Sequence, residues 1–158
     1  MAQTRKPRRA ASRGWPRRGE IYLAALDPTV GHEIKKTRPA LVVQNDTSNR
    51  YSAVTMVAPI TSTVRLPLSP LHVLLPANSS TGLVVASVAV FNQIRAVDHK
   101  RLVKKLGEVD ALVLAQVDEA IEAAFGLSSS EPDLSSPPAI TKAISEGAGD
   151  LKTGRCKG

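Results

Sequence analysis

Cysteine is nearly absent: Cys156 is the only one in 158 residues. It has no partner within the chain, which excludes a disulfide-stapled secreted scaffold. Histidine is scarce too. His32, His72 and His99 are scattered, and with a single cysteine they supply no metal-ligand spacing, so neither a metal nor any other cofactor is expected. Long apolar runs are missing: Leu83 to Phe91, with Ser87 inside it, falls far short of the roughly 20 residues a membrane helix needs. No apolar segment follows the basic N-terminus, so no signal peptide is expected. Aromatic residues make up only 3% of the chain, which argues against extended base stacking as the main source of any nucleic-acid affinity. These absences lead to the expectation of a soluble cytoplasmic protein with no membrane association.

What is present is positive charge, unevenly placed. The formal net charge is +7. Residues 1–18 hold seven Lys/Arg and no acid, 19–127 hold ten of each sign, and 128–158 hold four of each. The whole excess therefore sits at the N-terminus, and a high pI says little about the body. Residues 1–18 are expected to be a disordered basic tail, suited at most to sequence-independent phosphate tethering. Residues 128–158, rich in Ser, Pro, Gly and Ala, are expected to be a second disordered tail.

Between the tails, residues 19–127 read as one domain. Ile21–Leu26, Ala40–Val43, Val54–Ile60, His72–Leu75, Ser87–Ile94 and Leu102–Leu106 are short β-prone runs. Asp27-Pro28, Asn45-Asp46 and Pro76-Ala77-Asn78 punctuate them as turns. From Asp110 to Phe125 the period changes. Leu114, Val117, Ile121, Ala124 and Phe125 recur every three or four residues, which predicts a helix capped by Asp110 and stopped by Gly126. The fold class expected is mainly β with a C-terminal helix: a small, strongly curved barrel with the helix packed on it. A domain of this size has one core, and an oligomer interface would help stabilise it.

Three ordered blocks carry a family resemblance. The first is Arg18-Gly19-Glu20-Ile21-Tyr22, Leu26-Asp27-Pro28-Thr29-Val30-Gly31-His32-Glu33 and Thr37-Arg38-Pro39-Ala40-Leu41-Val42-Val43-Gln44-Asn45-Asp46. The second is Val57-Ala58-Pro59-Ile60-Thr61-Ser62, and the third is Gln93-Ile94-Arg95-Ala96-Val97-Asp98 with Arg101-Leu102. In this order they resemble the MazF/PemK toxins, mRNA interferases of type II toxin–antitoxin systems. The resemblance covers about 18–127. It implies an SH3-like, MazF/CcdB-like barrel that forms a homodimer and cuts single-stranded RNA without a metal. It also implies a cognate antitoxin with an acidic, flexible segment. The family's chemistry maps onto Arg38 and Thr61. Asn92 departs from the pattern, since many members carry an acid before the third block's Gln.

These residue types suit that reaction. Metal-free RNA cleavage uses the 2′-hydroxyl as nucleophile and needs a base, an acid and cationic donors for the phosphorane. Arg38 offers a planar fork for phosphate oxygens. Pro39 pushes Arg38 to an extended conformation, at a strand entrance beside a loop. Thr61 offers a hydroxyl to hold the phosphate in line. Two candidates remain for the base: Glu33, in the loop before Arg38, and His72, whose side chain titrates in the right range. Lys35 and Lys36 suit phosphate positioning, and Asn45, His72 and Gln93 suit reading of base edges on a splayed strand. Relatives with this barrel poison DNA gyrase without chemistry, so a non-catalytic gyrase poison is one alternative and a passive nucleic-acid-binding barrel another. A gyrase poison has no need of the Arg38/Thr61 pair.

Overall fold

The computed structural model describes residues 14–127. Residues 1–13 and 128–158, most of the two expected tails and Cys156 among them, lie outside the described residues.

Seven strands form one antiparallel sheet: β1 Glu20–Ala25, β2 Thr37–Val42, β3 Val54–Thr61, β4 His72–Leu75, β5 Ser87–Val90, β6 Arg95–Asp98 and β7 Leu102–Glu108. The order across the sheet is β4-β5-β3-β2-β1-β7, with β6 also on β3. β3 makes the curvature possible. Its first half pairs with β6 (Val54 with Asp98 through Val57 with Arg95), and its last two residues pair with β5 (Ile60 with Ala89, Thr61 with Val88). The sheet thus turns about β3 into a barrel-like curve without closing.

Strand alternation explains two cores. Ile21, Leu41, Ala58, Ile60, Val73, Leu75 and Ala89 point to one face, where helix α2 (Ala111–Phe125) covers them with Val113, Val117 and Ala120. Ala24, Leu26, Ala40, Val42, Val57 and Val97 point to the other face and form a smaller cluster. Adjacent residues of β2 therefore enter different cores, which is why Ala40–Val42 is apolar at every position. Val117 is fully buried, worth roughly 1.5–3 kcal/mol of stabilisation. The α2 caps are as expected: the Asp110 side chain accepts from Val113 N, and Gly126 takes a left-handed φ of 66°. Phe125 departs from the expected stripe: it is 60% exposed, whereas Ile121 and Ala124 pack against the core.

Three other expectations are corrected. Asn45-Asp46 is not a simple turn: Asn45 caps a one-and-a-half-turn helix, α1 (Asp46–Tyr51), its side chain accepting from Ser48 N at 2.8 Å. Cap residues and turn residues are the same residue types, so the local signal is ambiguous. Asn49 of α1 is fully buried, bonded to Gln44 and Thr55. The run Ser87–Ile94 is not one strand. A 3-10 turn at Phe91–Gln93 divides it into β5 and, beyond Ile94, β6, which pair with different halves of β3. Finally, residues 14–18 belong to the body. The Arg17 amide donates to Glu20 Oε1, the Arg18 amide to Asp46 Oδ1 at 2.7 Å, and Arg18 Nη2 to Asp118 Oδ1 at 2.6 Å. Charge of one sign predicted disorder, but the Arg18 guanidinium meets an acid 100 positions along the chain, and two backbone amides meet two more acids.

The turn at 78–82 packs tightly on the end of β7. A Cβ on Gly107 would lie 2.1 Å from the Ser80 carbonyl oxygen, and one on Gly82 2.0 Å from that of Leu106. Only glycine allows this approach, with Glu108 N donating to Ser80 O at 2.8 Å.

Candidate active site

The site begins with strand register. In the β2–β3 ladder Ala40 pairs with Pro59, Leu41 with Ala58 and Val42 with Val57. Two residues beyond the last pair on each strand stand Arg38, which pairs with Ala24 of β1, and Thr61; by alternation both lie on the face of Ala40 and Val42, away from α2. The ladder ends at Ala40 and Pro59, so these two side chains flank its end. Thr61 pairs with Val88 of β5, and Val88 with Leu74 of β4. His72 lies two residues from Leu74 and so shares the face of Arg38 and Thr61.

Each group keeps hydrogen-bonding capacity. Arg38 Nε donates to the Lys35 carbonyl at 2.9 Å, which fixes the guanidinium's base. Its terminal nitrogens remain for a ligand, and among the described residues no carboxylate pairs with Arg38. Thr61 Oγ1 accepts from Thr63 N at 3.2 Å, leaving its O–H to donate outward. Half-burial pulls the His72 imidazole below its ordinary value of 6.5, so it is neutral at pH 7 and able to accept a proton.

The remaining candidates sit in the β1–β2 loop, which three side chains pin from below. Gln93 Oε1 accepts from Ile34 N at 2.7 Å, and Gln93 Nε2 donates to His32 O at 3.4 Å. Glu33 lies between the two residues so held. Arg95 Nη1 donates to Leu26 O at 2.8 Å, and Arg101 Nη1 donates to Ala25 O at 3.0 Å and to Asp27 O. The loop closes on itself where Leu26 N donates to Lys36 O at 2.9 Å. There Lys36 adopts a left-handed φ of 72°, an uncommon conformation for a lysine that the flanking bonds enforce. Glu33, Lys35 and Lys36 are exposed.

By strand alternation Arg38, Thr61 and His72 share one face of the sheet, and Glu33, Lys35 and Lys36 lie on the loop that leads into β2. The structure does not bring Asn45 to them. Asn45 follows the far end of β2 from Arg38, and its side-chain oxygen is engaged in capping α1. Gln93 is present in another capacity, since its amide grips loop backbone. Arg95 and Arg101, which sequence reasoning placed in a block without a role, are loop anchors. Their signal was the block itself. On the opposite face, beside Pro39, lies an apolar groove of about 340 Å³ lined by Leu23, Ile60, Leu83, Val84, Val85 and Leu106, with Arg38 and Ser62 at its rim.

No helix among the described residues is long and apolar enough to cross a membrane. Comparison with known proteins agrees with this fold. The chain is 39% identical over 111 residues to the endoribonuclease EndoA of Bacillus subtilis, covering 70% of this chain and 95% of that protein. It is equally similar to the endoribonuclease MazF of Staphylococcus epidermidis, covering 92% of it. Among solved structures, MazF from Deinococcus radiodurans superposes with a TM-score of 0.60 at 30% identity, covering 71% of this chain and 97% of that one. An endoribonuclease from a mycobacterial species, solved in complex with its cognate antitoxin, gives 0.60 at 26% identity, covering 73% and 99%. The profile of the PemK-like, MazF-like toxins of type II toxin–antitoxin systems matches residues 17–125. With the curved antiparallel sheet and the C-terminal helix in place, the chain belongs to this toxin family.

Proposed function

We propose that the chain is a toxin endoribonuclease that cleaves single-stranded RNA at a short sequence motif without a metal, so inhibiting translation and growth. The main support for the chemistry is that Arg38 and Thr61 lie just beyond the last pair of the β2–β3 ladder, on one face by strand alternation, each with free donors. In the reaction the substrate's 2′-oxygen bonds to phosphorus while the bond to the 5′-oxygen breaks. The base removes the 2′-hydroxyl proton, and a proton returns to the leaving 5′-oxygen. Arg38 donates to the phosphorane oxygens, where negative charge grows, and is placed to donate toward the leaving oxygen. Thr61 holds a non-bridging oxygen. Glu33, on the pinned loop, and neutral His72, on the same face as Arg38, are the two candidates for the base. The metal-free reading rests on this donor set. Among the described residues no group of three or more His, Cys, Asp or Glu is placed to hold an ion.

The proposed partners follow from the same surfaces. An antitoxin with an acidic, flexible segment would place carboxylates at Arg38 and Lys36 and apolar side chains in the groove beside Pro39. A second copy of the chain would cover apolar groups such as Leu112, Phe125 and Leu127, which stand 60–77% exposed on and just after α2.

The test is incubation of purified protein with a defined RNA in excess EDTA, followed by analysis of the new ends. The expected products carry a 2′,3′-cyclic phosphate, or its opened 3′-phosphate, and a 5′-hydroxyl. Activity abolished by EDTA and restored by Mg²⁺ would overturn the metal-free mechanism. No cleavage under any condition would leave a binding-only toxin.

A further inference from the structure

Beyond the far end of β2 from Arg38, two of the chain's few aromatic residues converge on one cation. The Arg50 guanidinium carbon lies 5.4 Å from the Trp15 ring centroid and 5.2 Å from that of Tyr51. Both distances are within the range of about 6 Å for a cation–π contact. Tyr51 is 76% exposed, Arg50 is exposed and Trp15 is half-buried. We propose that Trp15, Arg50 and Tyr51 form a second RNA-binding site, a stacking platform for single-stranded RNA that is separate from the cleavage site. The proposal rests on the endoribonuclease reading for the identity of the polymer.

Anchoring of the N-terminal lead-in does not account for the arrangement. That segment is already fixed by the Arg17 and Arg18 amides on Glu20 and Asp46, and by the Arg18 guanidinium on Val43 O and Asp118. An aromatic ring left 76% in water adds little burial to those bonds. Among the described residues no carboxylate pairs with Arg50, so its charge and outward N–H groups are available to an anion. Ring faces beside an uncompensated arginine match a ligand that carries both bases and phosphates. An acidic peptide would match the charge but not the rings.

Chain continuity adds to this. Only Gly14 separates Trp15 from residues 1–13, which contain Arg5, Lys6, Arg8, Arg9 and Arg13 and no acid. Five of the seven cations of residues 1–18 therefore precede the platform in the chain. Trp15 also lies outside the 17–125 span of the family match. Position sets what the platform does. Arg38 and Val42 are roughly 13 Å apart along β2 by strand rise, and α1 lies beyond Val42. The platform therefore meets nucleotides well away from the scissile phosphate. It tightens binding without selecting the cleavage motif, because stacking accepts any base.

Trp15 is the only tryptophan, so it reports its own environment. The experiment titrates the full chain with a mixed-sequence 2′-O-methyl oligoribonucleotide, which lacks the nucleophile, while tryptophan emission and mobility-shift binding are followed together. Saturable quenching that parallels binding is expected. Tyr51→Ala should weaken binding roughly fivefold or more for every sequence tried, while Tyr51→Phe, which keeps the ring, should not. Single-turnover cleavage at saturating RNA should be unchanged in both, with circular dichroism as the folding control. Binding that leaves Trp15 emission untouched, or a folded Tyr51→Ala that binds as tightly as the parent, overturns the platform. So does a Tyr51→Ala variant that loses a protein partner and keeps RNA. Parental cleavage of the matching RNA separates the two failures. Cleavage without a Trp15 response sinks only the platform, whereas neither cleavage nor binding sinks the endoribonuclease reading.

Discussion

At Arg38 one nitrogen is held: Nε is fixed on Lys35 O, and the terminal nitrogens make no hydrogen bond among the described residues. Arg38→Ala should therefore slow cleavage roughly 10²-fold or more, the scale of losing a donor to a developing oxyanion. Arg38→Lys should restore only part, because a point charge cannot reproduce the fork. Thr61→Val removes a hydroxyl at nearly constant shape and should also slow cleavage. RNA binding should survive both changes better than catalysis. Single-turnover cleavage of one oligonucleotide, with circular dichroism on each variant, checks this; parental rates in folded Arg38→Ala and Thr61→Val would place the site elsewhere. His72 gives a pH effect of known sign. Well above pH 6.5 it is neutral in both the folded and the unfolded chain and contributes nothing to pH dependence. Below 6.5 the unfolded chain takes the proton first, because burial holds the folded pKa lower, so stability falls with pH until the folded group titrates as well. The thermal midpoint of His72→Gln should thus drop less between pH 7 and 5 than the parent's, as read by scanning calorimetry.

At the scale of elements, the β1–β2 loop depends on the corner between β5 and β6. The 3-10 turn at Phe91–Gln93 aims Gln93 at the Ile34 amide and lets Arg95 start β6 beneath Leu26. Gln93→Ala should leave the Ile34 amide without its partner. Hydrogen exchange at Ile34 should accelerate, and cleavage should fall roughly 3- to 10-fold, the scale of one hydrogen bond. Gln93→Glu keeps the acceptor and should restore the Ile34 protection. Unchanged exchange in Gln93→Ala would show that the loop is held without it. This corner was the least legible part of the sequence. The run Ser87–Ile94 contains neither Gly nor Pro, and every residue from Ser87 to Phe91 is buried, so neither punctuation nor alternation marks the break. Helix α1 was hidden for a different reason: Asn45-Asp46-Thr47-Ser48 bond their own backbone equally well in a turn or at a helix start. Helix α2, by contrast, could be read with both caps, because a long 3.6-residue period flanked by Asp and Gly has few other solutions.

For the molecule as a whole, charge and shape are separated. The body 19–127 is neutral in formal charge, and the excess lies in 1–18. Removing residues 1–13 should reduce the salt dependence of RNA binding, because each lysine or arginine that neutralises a phosphate contributes about 0.7 to the log–log slope on single strands. The cleavage motif should not change, since such cations read no bases. A shifted motif in RNA sequencing of cleavage ends would contradict this. Residues 14–18 must stay in that truncation, as Arg17 and Arg18 tie the lead-in to Glu20, Asp46 and Asp118. Apolar exposure at Leu112, Phe125 and Leu127 leads to the expectation of a homodimer at micromolar concentration by analytical ultracentrifugation, and a monomer there would contradict it.

The sequence by itself determined where the main strands run, where α2 begins and ends, which family the three blocks belong to, and that Arg38 stands at a strand start. These are local properties, written in periods of two and 3.6 residues, in caps and in the restriction before Pro39. Only the tertiary structure decided which side chains meet. Asn45 and Gln93 are both uncharged amides, equally eligible on paper to read a base. Packing made one a helix cap at the far end of β2 and the other a clamp on the candidate loop. The three loop anchors join residues 59, 69 and 76 positions apart. No local pattern encodes such bonds. They exist because β3 divides its length between β5 and β6 and so folds the corner that bears Gln93 and Arg95 back beneath the loop.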